Sequence, residues 1–173
     1  LGGRESGRLH GDIDFSVRLE DMSGVRAWLA REGRYDRDLD SRRMPCNADG
    51  EEYGAHARIN GVLASFCPFF LRDGALVQRN AEQTAFAGYD ALLEAVIPGL
   101  AEVDFVEMRE LPDGGRAGFA TLEVCRAAKA ASNRPKDLAD IAELDRLGCD
   151  EERMGRVARA FAAMEVACTT HGE

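Results

Sequence analysis

Gly7-Arg8-Leu9-His10-Gly11-Asp12-Ile13-Asp14-Phe15-Ser16-Val17 sets two carboxylates two residues apart inside an apolar run. In a strand, residues i and i+2 share a face roughly 6.5 Å apart. Asp12 and Asp14 then stand together while Ile13, Phe15 and Val17 bury the other side. Two carboxylates that close repel each other unless a cation lies between them. A hard divalent ion held by two carboxylates plus phosphate oxygens is the usual form of a magnesium site. The same spacing also fits a turn cap at Asp12 followed by an exposed strand residue at Asp14.

The totals narrow the class. The 173 residues suffice for one domain with a real core and a helical appendage, with 45% apolar and 31% charged residues as in ordinary soluble proteins. No run approaches the roughly 18 apolar residues of a membrane span, and no signal peptide is read at the start. The chain also begins without Met, which suggests a lost N-terminus. A net charge of −9 repels a phosphate backbone, so nucleic acid is disfavoured as a partner and cationic small molecules are better guests. Five scattered cysteines without a CxxC pair fit reduced thiols in a cytoplasmic protein, and three histidines argue against a zinc site.

Beyond the opening stretch, Asp21 or Ser23 can cap a helix with Val25, Trp28 and Leu29 at i, i+3, i+4, ended by Gly33. Residues 34–39, 53–59, 62–70 and 75–77 have strand length. Asn60-Gly61 and Asp73-Gly74 between them are hairpin turns, so an antiparallel extension of the sheet is predicted. Residues 42–52 form a polar loop able to overhang the Asp pair. A helical pattern occupies 89–96, closed by Pro98-Gly99, and strands are predicted at 103–111 and 116–120 around Pro112-Asp113-Gly114-Gly115. The remainder reads as helices. Thr121 caps 122–131. Asn133 caps a helix with Pro135 in its first turn, a Leu138, Ile141, Leu144, Leu147 stripe and Gly148 behind it. A last helix, 151–168, carries Met154, Val157, Phe161, Met164 and Val166 on one face. That face suits a second subunit, giving a homodimer, as well as its own domain.

A second cluster stands at Lys129 and Arg134-Pro135-Lys136-Asp137-Leu138-Ala139-Asp140. Cations at a helix start oppose the helix dipole, so a ligand that wants positive charge is one explanation and a triphosphate is such a ligand. The other explanation is an i, i+4 pair between Lys136 and Asp140 on a solvated surface.

The run Arg8-x-His10-Gly11-Asp12-Ile13-Asp14-Phe15 is followed by hairpin strands. Behind them comes Leu122-Glu123-Val124-x-x-Ala127-x-Lys129-Ala130-Ala131-x-x-Arg134-Pro135-Lys136-Asp137-Leu138-Ala139-Asp140-Ile141. Together they resemble the nucleotidyltransferase superfamily with the polymerase-β-like fold. The similarity is to small bacterial lincosamide and aminoglycoside nucleotidyltransferases and to toxins of the MNT and AbiEii kind.

The resemblance implies an α/β (α+β) fold, a mixed sheet of nucleotidyltransferase type with an antiparallel hairpin extension and C-terminal helices. Residues 1–120 would be the sheet domain, its N-terminal strand and helix missing, and 121–173 the helical part of the same domain. Asp12 and Asp14 would be catalytic and hold Mg2+ or Mn2+ against the phosphates of an NTP, with ATP the expected co-substrate. Lys129, Lys136 and Arg8 would contact phosphate, Asp137 and Asp140 would hold the cations in place, and His10 would brace the strand entry or touch phosphate. The implied reaction moves an NMP to a hydroxyl of a small, antibiotic-like acceptor. The alternatives are a toxin-like enzyme acting on tRNA or protein and a non-catalytic nucleotide-binding module.

Two features depart from the family pattern. Leu1-Gly2-Gly3 lies too near Asp12 to be the glycine turn that cradles phosphates, and Leu1-Gly2 aligns better with the end of a missing helix. Ser65, in the strand 62–69, occupies the place of a third carboxylate base. Either Glu51, Glu52 or His56 reaches in from adjacent strands, or the substrate is deprotonated otherwise, or nucleotide is bound without transfer.

Overall fold

A computed structural model describes residues 12–34, 51–83, 90–132 and 134–170. They form a mixed α/β structure with a mixed sheet and several C-terminal helices. Among them no helix is long and apolar enough to cross a membrane. Two compact units are distinguished. One gathers the described residues of 12–73, 77–96 and 165–170, the other those of 74–76 and 97–164.

The first unit is built on strands β1 (Asp12–Arg18), β2 (Ala55–Ile59), β3 (Val62–Arg72), β4 (Ala75–Gln83), β5 (Asp90–Pro98) and β8 (Glu165–Thr170), with helix α1 (Met22–Arg31). The sheet order is β1-β3-β4-β5-β8, with β2 also on β3. β1 runs parallel to β3, and β2 runs antiparallel to it. Asn60 (φ 52°) with Gly61 (φ 82°), and Asp73 (φ 53°) with Gly74 (φ 78°), have positive φ at both turn positions. That is the backbone a tight hairpin needs to match strand twist, and it is why these dipeptides were legible as turns.

α1 ends as expected at Gly33 (φ 64°), where Arg34 N donates to Leu29 O at 2.8 Å. Its buried face is Met22 and Leu29 with half-buried Val25, packed with Ala55, Ala57, Ala64 and Phe66. Trp28 lies outside that face and is exposed, and neither expected cap is seen, Asp21 making no side-chain cap bond. β1 is a strand as predicted, but the expected burial of Ile13, Phe15 and Val17 is corrected, since only Val17 is half-buried and the rest of the strand is exposed. Phe15 stacks on Phe66 at 5.0 Å, yet Phe15 remains 40% and Ile13 50% exposed.

The second unit holds a helical turn α2 (Glu102–Phe105), a hairpin of β6 (Val106–Glu110) and β7 (Arg116–Ala120), and helices α3 (Leu122–Ser132), α4 (Pro135–Leu147) and α5 (Glu151–Ala162). α3 packs against both α4 and α5. Thr121 caps α3 by accepting from Val124 N at 3.3 Å, and its hydroxyl donates to Asp104 O at 2.7 Å.

Four expectations are corrected. Residues 90–98 are a strand, not a helix: Ala, Leu and Glu favour helix locally, but Glu94 accepts from Arg72 of β3 and Arg79 of β4, and β8 supplies an antiparallel ladder. The last helix stops at Ala162, and 165–170 become β8, because the ladder to β5 satisfies a segment whose Val166 breaks the helical spacing. The strand predicted from 103 begins only at Val106, since residues 102–105 form a helical turn in which Asp104 N and Phe105 N both donate to Ala101 O, at 3.0 and 3.1 Å. The α4 stripe is corrected at its start, Ile141 and Leu147 being half-buried and Leu144 buried as expected. Leu138 is 64% exposed, and the buried positions are Asp137, Asp140 and Leu144. Asn133, the expected cap of α4, the strand at 34–39 beyond Arg34 and the loop over 42–50 lie outside the described residues.

Candidate functional site

The candidate site starts from β1. Asp12 and Asp14 both lie on its exposed stretch, and the register sets Asp14 beside Ser65 of β3 and Ser65 beside His56 of β2. Residues opposed in neighbouring strands point to the same face. One row across three strands therefore reads Asp14, Ser65, His56, with Asp12, Leu63 and Arg58 forming the next. Further along the same face Gln78 Nε2 donates to Ser16 Oγ at 3.3 Å, and Cys67 Sγ donates to Asn80 Oδ1 at 3.5 Å. The opposite face carries the core against α1, and within the row Ser65 and His56 are themselves buried while Asp14 is exposed.

The other residues named as possible bases have structural work. Glu52 accepts from Arg26 Nη2 at 2.7 Å and from Gly54 N at 3.0 Å, while Arg26 Nη2 also donates to Gly54 O at 2.6 Å. This clamps α1 to the entry of β2. Glu51 is paired with Arg79, whose guanidinium lies between the Tyr53 and Phe70 rings and also donates to Glu94 at 2.8 Å. Burial would raise the Glu94 carboxyl, but Arg72 and Arg79 outweigh it and hold the group below its ordinary value. His56 sits in the row itself but is only 2% exposed. Arg8 and His10 lie outside the described residues.

In the second unit Lys129 Nζ meets Asp137 at 3.2 Å and Asp140 at 2.9 Å. Arg134 Nε at 2.8 Å, Arg134 N at 3.2 Å and Ser132 Oγ at 2.6 Å also donate to Asp137. Arg134 above all, then Ser132 and Lys129 against the opposing effect of burial, hold the Asp137 carboxyl far below the usual range. Burial pushes the Lys129 ammonium down, and its two carboxylates more than reverse this. Asp137 and Asp140 are thus the groups that orient Lys129, while Lys136 stands exposed one turn away.

A third ionic group escaped the sequence reading. Buried Asp104 accepts from Arg156 Nη2 at 2.8 Å and Nε at 3.0 Å, with Arg153 at 3.7 Å. Buried Glu123 accepts from Asp150 N at 2.6 Å and also faces Arg153. The i, i+3 spacing of Arg153 and Arg156 is the signal that would have found it.

Among the described residues no cluster of three or more His, Cys, Asp or Glu could hold a metal. Asp12 and Asp14 alone are too few for a closed protein cage. For the pair to hold a hard cation, the rest of the shell would have to come from a ligand and water. No family model, curated protein or solved structure matches this chain.

Proposed function

We propose that this chain is a metal-dependent nucleotidyltransferase that moves a nucleoside monophosphate from an NTP to a hydroxyl of a small molecule. The observation that carries the reading is the Asp12 and Asp14 pair on the exposed part of β1, beside the Asp14, Ser65, His56 row. Asp12 and Asp14 would hold Mg2+ or Mn2+, which when bound neutralises phosphate charge and polarises the α-phosphorus. The acceptor hydroxyl oxygen would bond to that phosphorus as its proton passes to solvent water, the bond to the bridging oxygen breaks and pyrophosphate leaves. The chain's part is to fix the phosphates against the sheet face, Ser65 offering a hydroxyl next to Asp14. Lys129 and Lys136 belong to the other unit, so the reading rests on the carboxylates alone.

Ser65 favours a second reading, a nucleotide-binding module without transfer, because a hydroxyl is a poor base where a carboxylate is wanted. Labelled NTPs with Mg2+ and candidate acceptors separate the two. Transfer requires pyrophosphate release that disappears in the Asp12→Asn, Asp14→Asn double variant, and release that survives that change refutes the site. Calorimetric binding of the NTP without turnover on any acceptor supports the module.

A further inference from the structure

Arg58 lies in the row that holds Asp12. Asp12 of β1 is in register with Leu63 of β3, and Leu63 with Arg58 of β2, so the three share a face. Asp12 and Arg58 are both exposed, while Leu63 between them is half-buried and offers no polar group. Neither Asp12 nor Arg58 makes an ion pair or a side-chain hydrogen bond with another described residue. With 31 Asp and Glu against 22 Lys and Arg, carboxylates are plentiful, and Arg26, Arg72 and Arg79 of the same unit are each held by one.

We propose that Arg58 binds the distal phosphates of the nucleotide whose metal Asp12 and Asp14 would hold, so that the donor is a triphosphate rather than a diphosphate or monophosphate. Under the nucleotidyltransferase reading, on which this rests, Arg58 supplies a cation in the same unit as the carboxylates. Two strand spacings, about 10 Å, separate the backbones of Asp12 and Arg58. A metal bound to carboxylate and phosphate oxygens, at about 2.1 Å per bond, takes up the Asp12 side of that gap. A guanidinium extended from Arg58 over Leu63 meets the phosphates beyond, donating at about 2.8 Å through its planar fork.

The neighbouring row gives the nucleotide its direction. Asp14, Ser65 and His56 include no Lys or Arg, and Ser65 and His56 are buried. The terminal phosphates carry most of the charge and belong in the exposed row that has an arginine. The α-phosphorus then faces Asp14 and Ser65. As the bond to the bridging oxygen breaks, new charge falls on the pyrophosphate, where Arg58 is already placed to neutralise it. Arg18 is the comparison. It shares the face of Asp14 four residues further along β1, about 13 Å away on the side opposite Asp12, with its guanidinium over the Phe69 ring at 5.8 Å.

Calorimetry of the full chain with Mg2+ and ATP, ADP or AMP tests the assignment. Arg58→Gln should weaken ATP about tenfold and AMP hardly at all, with an unchanged melting curve, and Arg58→Lys should recover part of the loss. Arg18→Gln alters net charge equally but should stay within about twofold of the parent, since its distance exceeds the screening length of about 8 Å. Should Arg58→Gln fail to fold, the parent chain decides: ATP with Mg2+ should protect Arg58 from phenylglyoxal and AMP should not, as read by peptide mass. Equal losses for ATP and AMP, equal losses in the Arg18 and Arg58 variants, or no protection of Arg58 overturns the assignment. ATP binding that needs Asp12 and Asp14 but ignores Arg58 removes Arg58 alone. No ATP binding by the parent, or binding undiminished in the Asp12→Asn, Asp14→Asn double variant, removes the nucleotidyltransferase reading with it.

Discussion

Lys129→Met removes the ammonium that Asp137 and Asp140 share while keeping a side chain of similar length. Asp137 retains Arg134, Ser132 and a backbone N–H, whereas Asp140, 2% exposed, loses its cation at 2.9 Å. Removing one partner of a buried pair costs 3–5 kcal/mol, and the partial exposure of Lys129 sets the expectation at the lower end, about 3 kcal/mol at pH 7. For a chain of this size that corresponds to a fall of about 6–12 °C in Tm. Urea unfolding from pH 4 to 8 measures it. The sign with pH is defined. The depressed Asp137 carboxyl stabilises the parent above the ordinary Asp value of about 3.9, and this is lost as pH falls through the lower folded value. A double-mutant cycle with Asp140→Asn should give a coupling of about 2 kcal/mol. A variant within about 0.5 kcal/mol of the parent at pH 7, or a coupling near zero, would refute the reasoning.

Ser65→Asp places a third carboxylate beside Asp14. It should lower the metal-free Tm by several degrees, with Mg2+ restoring it, and raise pyrophosphate release if transfer lacks only a base; a Tm indifferent to Mg2+ would count against the metal assignment. Gly54→Ala should destabilise by about 2–3 kcal/mol in urea, because φ is 134° there and the new Cβ would lie 2.6 Å from Phe66 O. Asp104→Asn should cost about 2 kcal/mol at pH 7, the half-exposed Arg156 partner moderating the loss. Arg156 holds the Asp104 carboxyl below its ordinary value, so this contribution is present above about pH 4 and fades below it; a parent-to-variant difference independent of pH would contradict it.

What could be read from the sequence was what neighbouring residues decide. The Asn60-Gly61 and Asp73-Gly74 turns, the Thr121 cap, Gly33 and Gly148 as helix ends and the β1 strand itself all rest on local backbone chemistry. The spacing of Asp12 and Asp14 was legible as a pair on one strand, and the structure adds that Asp14 stands in register with Ser65. Hidden were the features that distant partners create. Residues 90–98 and 165–170 become strands only because each completes the other. The buried face of α4 runs through two aspartates rather than Leu138, because Lys129 on the preceding helix neutralises them and hydrophobic periodicity counts apolar residues alone.

The pairing of Val96 with Glu165 in the β5–β8 ladder has a further meaning. After Pro98 the chain leaves this strand and it rejoins the sheet at Glu165, as an insertion between two halves of a hairpin. Closing so long a loop costs roughly 2.5 kcal/mol more chain entropy than closing a four-residue turn. A segment that folds first, as it emerges from the ribosome ahead of β8, brings its own ends together and removes that cost. The same arrangement makes 97–164 removable: a short turn joining Val96 to Glu165 would leave the strand order of the sheet intact.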